Sequence, residues 1–308
     1  MNKTVILYHK DCMDGMGSRY AAWKKFGDSA EYYACQYGKP LPDFEKGPEI
    51  EVFFLDYSTS RTELEALGEA CSRVVVLDHH QTAQEALEGC NHPKVEIVFD
   101  MNRSGAVIAW EYFHPNARVP MLLQYIQDRD LWRFHLGEDT KRIHAGLGTL
   151  KGNMFAWNEY ASHDGDYFKA KPAIMGGNPL RDVIERGKVL LDRDEDAVRY
   201  QVPQNVRVEQ FMGYNCGFLN TGQLVSEMGH AMYSDETLGV DIGICWFALN
   251  DNQIVLSLRS EQGTDVDVSK IAAYFGGGGH KHAAGCRVTF AMMESILKGG
   301  FPDGLHKP

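Results

Sequence analysis

The sequence contains no apolar run of the length that a bilayer crossing requires, and its first apolar stretch, residues 5–8, is too short for a signal peptide. Its seven cysteines are odd in number and form no Cys-x-x-Cys pair, which argues against a disulfide framework. We therefore expect free thiols in a soluble, cytoplasmic protein that does not associate with membranes.

Positive charge is also scarce, because 31 Lys and Arg residues stand against 42 Asp and Glu residues, a net charge of −11. Tight, sequence-independent binding of long nucleic acid depends on clustered basic residues, so the composition argues against it. A small anionic substrate remains compatible, since bound metal ions reverse the local sign of the charge. No stable protein partner is implied, and a homodimer is left open.

The chain is long enough for two domains, with 308 residues of which 44% are hydrophobic. The first part alternates helical segments with short apolar runs that suit strands buried on both faces. The predicted strands are residues 5–8, 52–55, 74–77 and 95–99, and the predicted helices are residues 17–26, 59–71, 104–112 and 121–127. This alternation predicts an α/β domain with a doubly wound, mostly parallel sheet.

A second pattern begins near residue 205 and predicts a smaller C-terminal α/β domain with a mixed sheet, separated from the first by a cleft. Asn250-Asp251-Asn252 lies between two alternating runs, as in a β-hairpin. The predicted strands are residues 213–219, 240–249, 253–259 and 286–290, and the predicted helices are residues 223–232 and 266–275. The charged segment of about residues 180–204 predicts a connecting helix, with the domains at residues 1–190 and 205–308.

Acidic residues and histidines follow the predicted strands of the first domain. They are His9, Asp56, Asp78-His79-His80 and Asp100. The carboxyl ends of parallel strands meet at one edge of a sheet, so these side chains should converge there. Mixed Asp and His donors suit manganese, iron or zinc better than calcium, and crowded carboxylates need a cation between them. Their number suggests two ions with a bridging carboxylate, although Asp56 or Asp100 alone could simply cap a helix.

Five ordered motifs resemble the DHH phosphoesterase superfamily, which includes RecJ-like and NrnA-like phosphodiesterases and certain pyrophosphatases. Four of them are His9 with Asp14-Gly15, Asp56, Asp78-His79-His80, and an aspartate within residues 126–130. The fifth, GGGGHKHAAG at residues 276–285, resembles the signature of the DHH-associated C-terminal domain. The resemblance spans nearly the whole chain and implies a catalytic metal-binding domain at residues 1–190 and a substrate-binding domain at residues 205–308.

The resemblance implies a site with two divalent metal ions, usually manganese, that clamp a phosphoryl group and activate a shared water. His9 and a second acid of the first motif would hold one ion, Asp14, His79 and Asp128 would hold the other, and Asp56 would bridge. Asp78 would orient His79 or the neighbouring backbone. His80 suits a hydrogen bond to the phosphate better than ligation, because adjacent side chains diverge.

Two of these positions have alternatives. The first motif is one residue shorter than the common family pattern, so its second acid is either Asp11 or is replaced by Cys12. Asp11 is favoured because a carboxylate is the harder ligand for manganese, whereas a thiolate would favour zinc or iron. In the fourth motif, the spacing to Trp132 favours Asp128 over Asp130, and Asp130 could instead pair with an arginine.

Substrate contacts are expected from both domains. In the second, Gly277, Gly278, Gly279 and His280 would approach phosphate oxygens, although a glycine can also simply end a helix. The family places an arginine in a context like that of Arg259, which implies a phosphate or base contact. In the first domain, Arg103 and Ser104 precede a helix and could either bind phosphate or cap that helix.

These features predict a hydrolase of phosphoester bonds, namely a metal-dependent phosphodiesterase or short-oligonucleotide exonuclease. Its expected substrates are di- or oligoribonucleotides, linear dinucleotides or phosphoadenosine phosphate. A pyrophosphatase or polyphosphatase is one alternative, but the glycine-rich signature argues against it because those relatives carry a different second domain. A non-catalytic nucleotide-binding module is the other alternative.

Overall fold

The structure is a computed structural model of the chain, and it describes residues 3–149, 153–162 and 179–298. The chain divides into two compact units, residues 1–192 and residues 193–308, each with its own sheet and its own hydrophobic core. The division falls within a long charged helix, Pro179–Asn205, at the place where the sequence predicts a connecting helix.

The first unit contains a five-stranded sheet in which every pair of neighbouring strands is parallel. Its strands are β1 (Lys3–His9), β2 (Ala30–Cys35), β3 (Ile50–Leu55), β4 (Arg73–Asp78) and β5 (Val95–Phe99). They lie in the order β2-β1-β3-β4-β5, so the chain moves outward from β1 in both directions. The predicted α/β class and parallel sheet are confirmed.

Helices connect these strands and continue after β5. They are α1 (Met13–Phe26), α2 (Arg61–Ala70), α3 (Gln81–Ala86), α4 (Gly105–Phe113), α5 (Met121–Asp130), α6 (Glu138–Leu147), α7 (Met154–Ser162) and α8 (Pro179–Asn205), with a short 3-10 helix at Gly27–Ser29. Of the described helices, none combines the length and apolarity that crossing a membrane requires. All seven cysteines are unpaired.

Both faces of the sheet are buried, which explains why its strands are almost continuously apolar. Val52 and Phe54 of β3 belong to one hydrophobic cluster together with Leu64 of α2. Phe53 and Leu55 belong to a second cluster, which α1, α4 and α5 complete on the opposite face. Each such side chain contributes about 1.5–3 kcal/mol when it is fully buried. The period-2 geometry of a strand therefore distributes one apolar run between two helical layers.

The edge strand β2 was not predicted from the sequence. Its residues Glu31, Tyr32, Tyr33 and Ala34 are partly or fully exposed, and only its two end residues are buried. Without a second buried face, the segment lacks the apolar run by which the other strands were found. It pairs in parallel with β1, opposite His9 at Cys35, and so it delivers the following loop to the same edge of the sheet.

The second unit contains a mixed six-stranded sheet, as predicted. Its strands are β6 (Arg207–Phe211), β7 (Tyr214–Asn220), β8 (Ile242–Ala248), β9 (Gln253–Ser260), β10 (Gly278–His280) and β11 (Ala283–Thr289), and its helices are α9 (Val225–Ser234), α10 (Val268–Tyr274) and α11 (Phe290–Leu297). The order is β10-β11-β9-β8-β7-β6, with only β7 and β8 parallel. The predicted hairpin joins β8 to β9 around Asn252, whose φ is 61°.

Candidate active site

The carboxyl ends of three adjacent strands bring polar residues together at one edge of the parallel sheet. His9 ends β1, Asp56 follows β3, and Asp78 ends β4 just before His79 and His80. Two helices add acids to the same place, since Asp14 lies in the first turn of α1 and Asp130 is the last residue of α5. These side chains form two groups of candidate metal ligands, the Asp14 triad (Asp14, His79 and Asp130) and the His9 triad (His9, Asp56 and His80).

Asp56 lies at the junction of the two triads. Its Oδ1 atom is 3.2 Å from His79 Nε2 and 3.9 Å from His80 Nδ1. Its Oδ2 atom is 3.4 Å from His9 Nδ1. In the other triad, His79 Nε2 is 3.4 Å from Asp14 Oδ2 and 3.5 Å from Asp130 Oδ2. One carboxylate therefore faces donors on both sides, which is the arrangement expected of a bridging ligand.

The backbone at Asp56 is strained, and a glycine makes room for its side chain. Asp56 has a φ of 52°, a conformation that non-glycine residues rarely adopt and that costs on the order of 1–3 kcal/mol. Its amide donates to the carbonyl of Leu77 on the neighbouring strand. A Cβ atom on Gly105, the first residue of α4, would lie only 2.5 Å from the Cβ of Asp56. The packing of α4 against this edge therefore requires glycine at position 105.

Asp14 is held by the N-terminus of α4. The amides of Gly105 and Ala106 donate to its two carboxylate oxygens at 2.6 and 3.0 Å. These amides have no partner within their own helix, and the helix dipole favours a negative charge at this end. The interaction fixes the carboxylate beside His79 while leaving lone pairs on both oxygens.

The protonation of the cluster follows from its burial and its excess of acids. Burial, together with the neighbouring carboxylates, raises the pKa of Asp14 and of Asp130 above their ordinary values. Burial opposes the charged form of His79 as well, but Asp56, Asp130 and Asp14 outweigh it and raise the pKa of His79 to about 10. Burial would raise the pKa of Asp56, yet the imidazoles of His79 and His9 hold it below its usual range. The cluster therefore retains protons that a bound cation would displace.

The residues at this edge fit a divalent metal site. Within the described part of the chain, the Oδ2 atoms of Asp56 and Asp130 are buried and have only long contacts, at 3.4 Å to His9 Nδ1 and 3.5 Å to His79 Nε2. A buried anionic oxygen that lacks a close donor is costly, and a cation removes that cost. Carboxylate oxygens mixed with imidazole nitrogens are donors for manganese, iron or zinc.

Asp130, rather than Asp128, contributes its carboxylate to the cluster. The side chain of Asp128 instead accepts hydrogen bonds from the His135 amide, the Leu136 amide and the Thr140 hydroxyl at 2.8, 3.0 and 2.6 Å. Asp128 thus fixes the loop that follows α5, and its oxygens are engaged there. The spacing to Trp132 favoured Asp128, but in the structure the carboxylate of Asp130 is the one that faces His79.

The carboxylate of Asp11 is not part of the cluster either. Its side chain is 78% exposed, it lies 3.6 Å from the Lys10 ammonium group, and its φ is 56°. Cys12 lies on the buried side, where burial and then the charges of Asp56, Asp130 and Asp14 raise the pKa of its thiol. The departure of the first motif from the family pattern therefore leaves the side chain of Asp11 turned outward, and the expectation that Asp11 is a metal ligand is not supported.

Asp78 and His80 form a hydrogen-bonded pair. Asp78 Oδ1 accepts from the His79 amide at 2.7 Å and contacts His80 Nδ1 at 2.7 Å. Asp78 thus orients the His80 ring and the local backbone. The expectation that adjacent imidazoles diverge is not met, since the ring centroids of His79 and His80 are 5.0 Å apart and His80 belongs to the His9 triad.

The two predicted substrate contacts of the first unit differ in their environment. Arg103 is engaged by acids, with Nε 2.7 Å from Asp100 Oδ2 and Nη1 bonded to Glu111. Ser104 is buried at the N-cap of α4, its amide donates to Gln127, and its hydroxyl interacts with the Asp14 carboxylate. Of the two residues, only Ser104 therefore lies beside the cluster.

The predicted contacts of the second unit are neighbours on its sheet. β10 pairs with β11 and β11 pairs with β9, so that Ala283 lies between His280 and Arg259. Gly277 and Gly279 pack against the backbone of β11, and Cβ atoms there would overlap with Gly285 and Ala284. Gly278 lies on β10 between them. Arg259 donates to the Ser226 hydroxyl at 3.0 Å.

Tyr37 is an aromatic residue of this edge that the sequence did not indicate. Its ring lies near His9 and His80, with centroids 5.6 and 5.9 Å apart, and 4.6 Å from Tyr57. Tyr37 follows the unpredicted strand β2, so no recognised strand pointed to it.

Known proteins share similarity with the chain along most of its length, although no family model matches it. It is 29% identical over 307 residues to Uncharacterized protein R106 of Acanthamoeba polyphaga mimivirus, covering 95% of this chain and 69% of that protein. It is 23% identical over 327 residues to oligoribonuclease NrnB of Bacillus subtilis (strain 168), covering 96% and 75%. NrnB is a DHH-superfamily member, so the resemblance predicted from the five motifs is confirmed.

Two solved structures were also found. The pGpG-specific phosphodiesterase PggH of Vibrio cholerae aligns with a TM-score of 0.48 and 15% identity, covering 96% of this chain and 97% of its own. RecJ of Thermus thermophilus, in complex with Mn²⁺, aligns with a TM-score of 0.45 and 16% identity, covering 96% and 51%.

Proposed function

We propose that this protein is a metal-dependent phosphodiesterase that hydrolyses short nucleotide substrates with two divalent metal ions, with manganese as the favoured metal. The substrate class comprises di- and oligoribonucleotides, linear dinucleotides and phosphoadenosine phosphate. The observation that carries the proposal is the position of Asp56, whose two oxygens face His79 on one side and His9 on the other.

The two triads define the proposed ligand sets. Asp14, His79 and Asp130 would hold one ion, His9 and His80 would hold the other, and Asp56 would serve both. Such a pair of ions, when bound, polarises a phosphoryl group and lowers the pKa of a water. Asp130 replaces Asp128 in this proposal because the oxygens of Asp128 are engaged by the following loop.

Other residues of the chain orient these donors and shape the site. The amides at the start of α4 fix Asp14, and Asp78 fixes the His80 ring. Polar neighbours that hold a ligand in one orientation typically change metal affinity or activity by about 10–100-fold when they are removed. The buried hydroxyl of Ser104 interacts with the Asp14 carboxylate and would help to orient it.

The second unit would bind the nucleotide. Arg259 supplies a positive charge for a phosphate, and the exposed backbone beside Gly278 and His280 supplies amide donors. These roles follow the resemblance of residues 276–285 to the DHH-associated domain. The excess of 42 acidic over 31 basic residues supports a short substrate over a long strand.

Sequence similarity supports the chemistry as well. NrnB, with which the chain aligns over 96% of its length, is named an oligoribonuclease. That name supports hydrolysis of short RNA, and the substrate itself has to be identified by experiment.

The direct test is a panel of substrates incubated with the purified protein and Mn²⁺. It comprises a diadenylate, oligoadenylates of increasing length, phosphoadenosine phosphate and pyrophosphate, with the products resolved by length. We expect mononucleotide release that is fastest for the shortest diesters and that chelation abolishes. Phosphate release from pyrophosphate alone would support a pyrophosphatase, and tight nucleotide binding without turnover would support a binding module.

A matched pair of variants strengthens this test. Asp130→Asn removes a carboxylate that faces His79, whereas Asp11→Asn removes an exposed carboxylate of the same motif region. We expect the first to lose activity and the second to retain it. Equal activity of both variants would contradict the proposed ligand set.

A further inference from the structure

Tyr37 occupies a distinctive position at the candidate site. Strand β2 lies beside β1 and runs parallel to it, so the loop after Cys35 emerges at the same edge as His9. The Lys10 amide donates to the Cys35 carbonyl at 2.8 Å and joins the ends of the two strands. Tyr37 is the second residue of this loop, and the sheet therefore places it at the edge where the two triads lie.

Its contacts anchor Tyr37 to the residues that carry Asp56. Tyr57 and Ser58 follow Asp56 directly, and the Tyr57 ring packs against Tyr37 with centroids 4.6 Å apart. The Ser58 amide donates to the Tyr37 hydroxyl oxygen at 3.2 Å. The ring also meets His9 edge-on, at an interplanar angle of 70°. The phenol thus has a fixed position relative to Asp56 and to the His9 triad.

We propose that Tyr37 contacts the substrate, with its phenol O–H donating a hydrogen bond to a non-bridging oxygen of the scissile phosphate. The proposal rests on the proposed function, because it needs a phosphodiester bound at the two triads. It adds a neutral donor to a site whose other groups are carboxylates and imidazoles.

Two observations support this role. First, the oxygen of Tyr37 already accepts the Ser58 amide, so its own proton is directed to a different acceptor. Second, the side chain is 40% exposed while its ring lies 5.6 Å from His9 and 5.9 Å from His80. A phosphate held against these two imidazoles therefore meets the phenol.

Tyr37→Phe tests the proposal because it keeps the ring and removes only the hydroxyl. We expect kcat/KM for a diadenylate to fall by about 10- to 100-fold, the usual effect of losing one hydrogen bond to a charged group. Mn²⁺ binding, measured by calorimetry, should keep its stoichiometry and affinity. An unchanged kcat/KM would overturn the proposal, and weakened Mn²⁺ binding would assign Tyr37 to packing around His9 instead.

Tyr33→Phe is the matched control. Tyr33 lies on β2, four residues before Tyr37, and its hydroxyl donates to Glu31 at 2.7 Å. We expect this variant to keep wild-type kinetics. A similar loss in both variants would mean that the effect comes from strand β2 and would overturn the proposal.

Methylphosphonate dinucleotides provide a readout that packing alone does not change. In each diastereomer a methyl group replaces one non-bridging oxygen, so one of the two lacks the acceptor for Tyr37. We expect the ratio of the two affinities to differ between wild-type protein and Tyr37→Phe, because only wild-type protein loses the Tyr37 hydrogen bond with that diastereomer. The same preference in both proteins would refute the contact.

The role of Tyr37 and the proposed function would fail on different results. If wild-type protein with Mn²⁺ cleaves none of the diesters, the proposed function fails. If it cleaves them and Tyr37→Phe cleaves them equally well, only the role of Tyr37 fails.

Discussion

The two triads at the edge of the parallel sheet are built differently. In the Asp14 triad, Asp14 and His79 are almost completely buried, Asp130 is 24% exposed, and backbone amides of α4 hold the Asp14 carboxylate. In the His9 triad, Asp56 is buried, but the imidazoles of His9 and His80 are 24% and 14% exposed and lie beside aromatic rings. Two of the three side chains are thus buried in the Asp14 triad, the embedded triad, whereas two of the three reach solvent in the His9 triad, the open triad.

This difference indicates that the two triads have different roles. The embedded triad gains its geometry from backbone groups, which neither rotate nor titrate. The open triad gains its geometry from side chains such as Asp78 and Tyr37, and its imidazoles are accessible to solvent. We therefore expect the Asp14 triad to determine metal retention and the His9 triad to determine substrate binding and turnover.

The largest loss of activity is expected from a change at Asp56, because its carboxylate faces both triads. Asp56→Ala should reduce kcat by on the order of 10³-fold, since the change removes a carboxylate that faces both triads. Steady-state kinetics with a diadenylate and Mn²⁺ provide the measurement. Near-normal activity would show that the two triads work without a shared carboxylate.

Gly105→Ala tests the embedded triad through packing alone. The new Cβ would lie 2.5 Å from Asp56 Cβ and 3.0 Å from Asp14 Oδ2, so α4 or the acids must shift. We expect a loss of about 1–3 kcal/mol in the free energy of unfolding, as for other overpacked sites, together with weaker Mn²⁺ binding. Thermal unfolding with and without Mn²⁺ measures both. Gly47→Ala, where the new Cβ meets only Ile50 Cδ1 at 4.0 Å and φ is not positive, controls for the change from glycine to alanine without a clash.

The acids at the end of α5 should separate metal binding from stability. Asp130→Asn should lower the affinity of one Mn²⁺ site with little effect on unfolding. Asp128→Asn should lower stability by about 1–3 kcal/mol, because its amide NH₂ faces donors that the carboxylate now accepts. Metal stoichiometry and melting temperature, measured for both variants, distinguish the two roles. The reverse pattern would restore Asp128 as the ligand.

The smallest expected effect is a pH dependence that differs between the metal-free and metal-bound protein. His79 has its pKa raised from 6.5 to about 10, so the folded state binds more protons than the unfolded state between these values. The stability that His79 contributes is fully present below pH 6.5 and is lost as the pH rises through 10. The raised pKa values of Asp14 and Asp130 likewise make the stability fall as the pH rises above 3.8.

Bound Mn²⁺ should reverse this loss of stability with rising pH, because the metal displaces the same protons. Apparent Mn²⁺ affinity should therefore increase with pH, and binding should release protons. Calorimetry in buffers of different ionisation enthalpy measures the release. Proton-neutral binding would indicate that the triads are already deprotonated in the metal-free protein.

The sequence predicted the parts of the fold in which apolar residues follow a regular pattern. Strands β3 and β4 are buried on both faces, so their continuous apolar runs identified them. The edge strand β2 has no such run and was missed, and with it the position of Tyr37. β10 was missed because glycines carry no periodicity, although close packing against β11 explains them.

The sequence predicted only those site residues that lie at the ends of strands. His9, Asp56 and His79 follow buried strands directly, and parallel pairing brings such positions together. Asp130 and Asp128 lie two residues apart on one helix end, where spacing does not reveal which carboxylate turns inward. Asp11 and Cys12 posed the same problem at the start of α1, where spacing does not reveal that the Asp11 side chain turns toward solvent.

The sequence by itself determined which residue types reach the edge of the first sheet, because strand burial and parallel order follow from short-range apolar patterns. Only the tertiary structure decided which of those side chains face each other, since the direction of a carboxylate depends on backbone angles and on hydrogen bonds from distant segments. The amides of α4 that hold Asp14, 91 and 92 residues away along the chain, are the clearest instance.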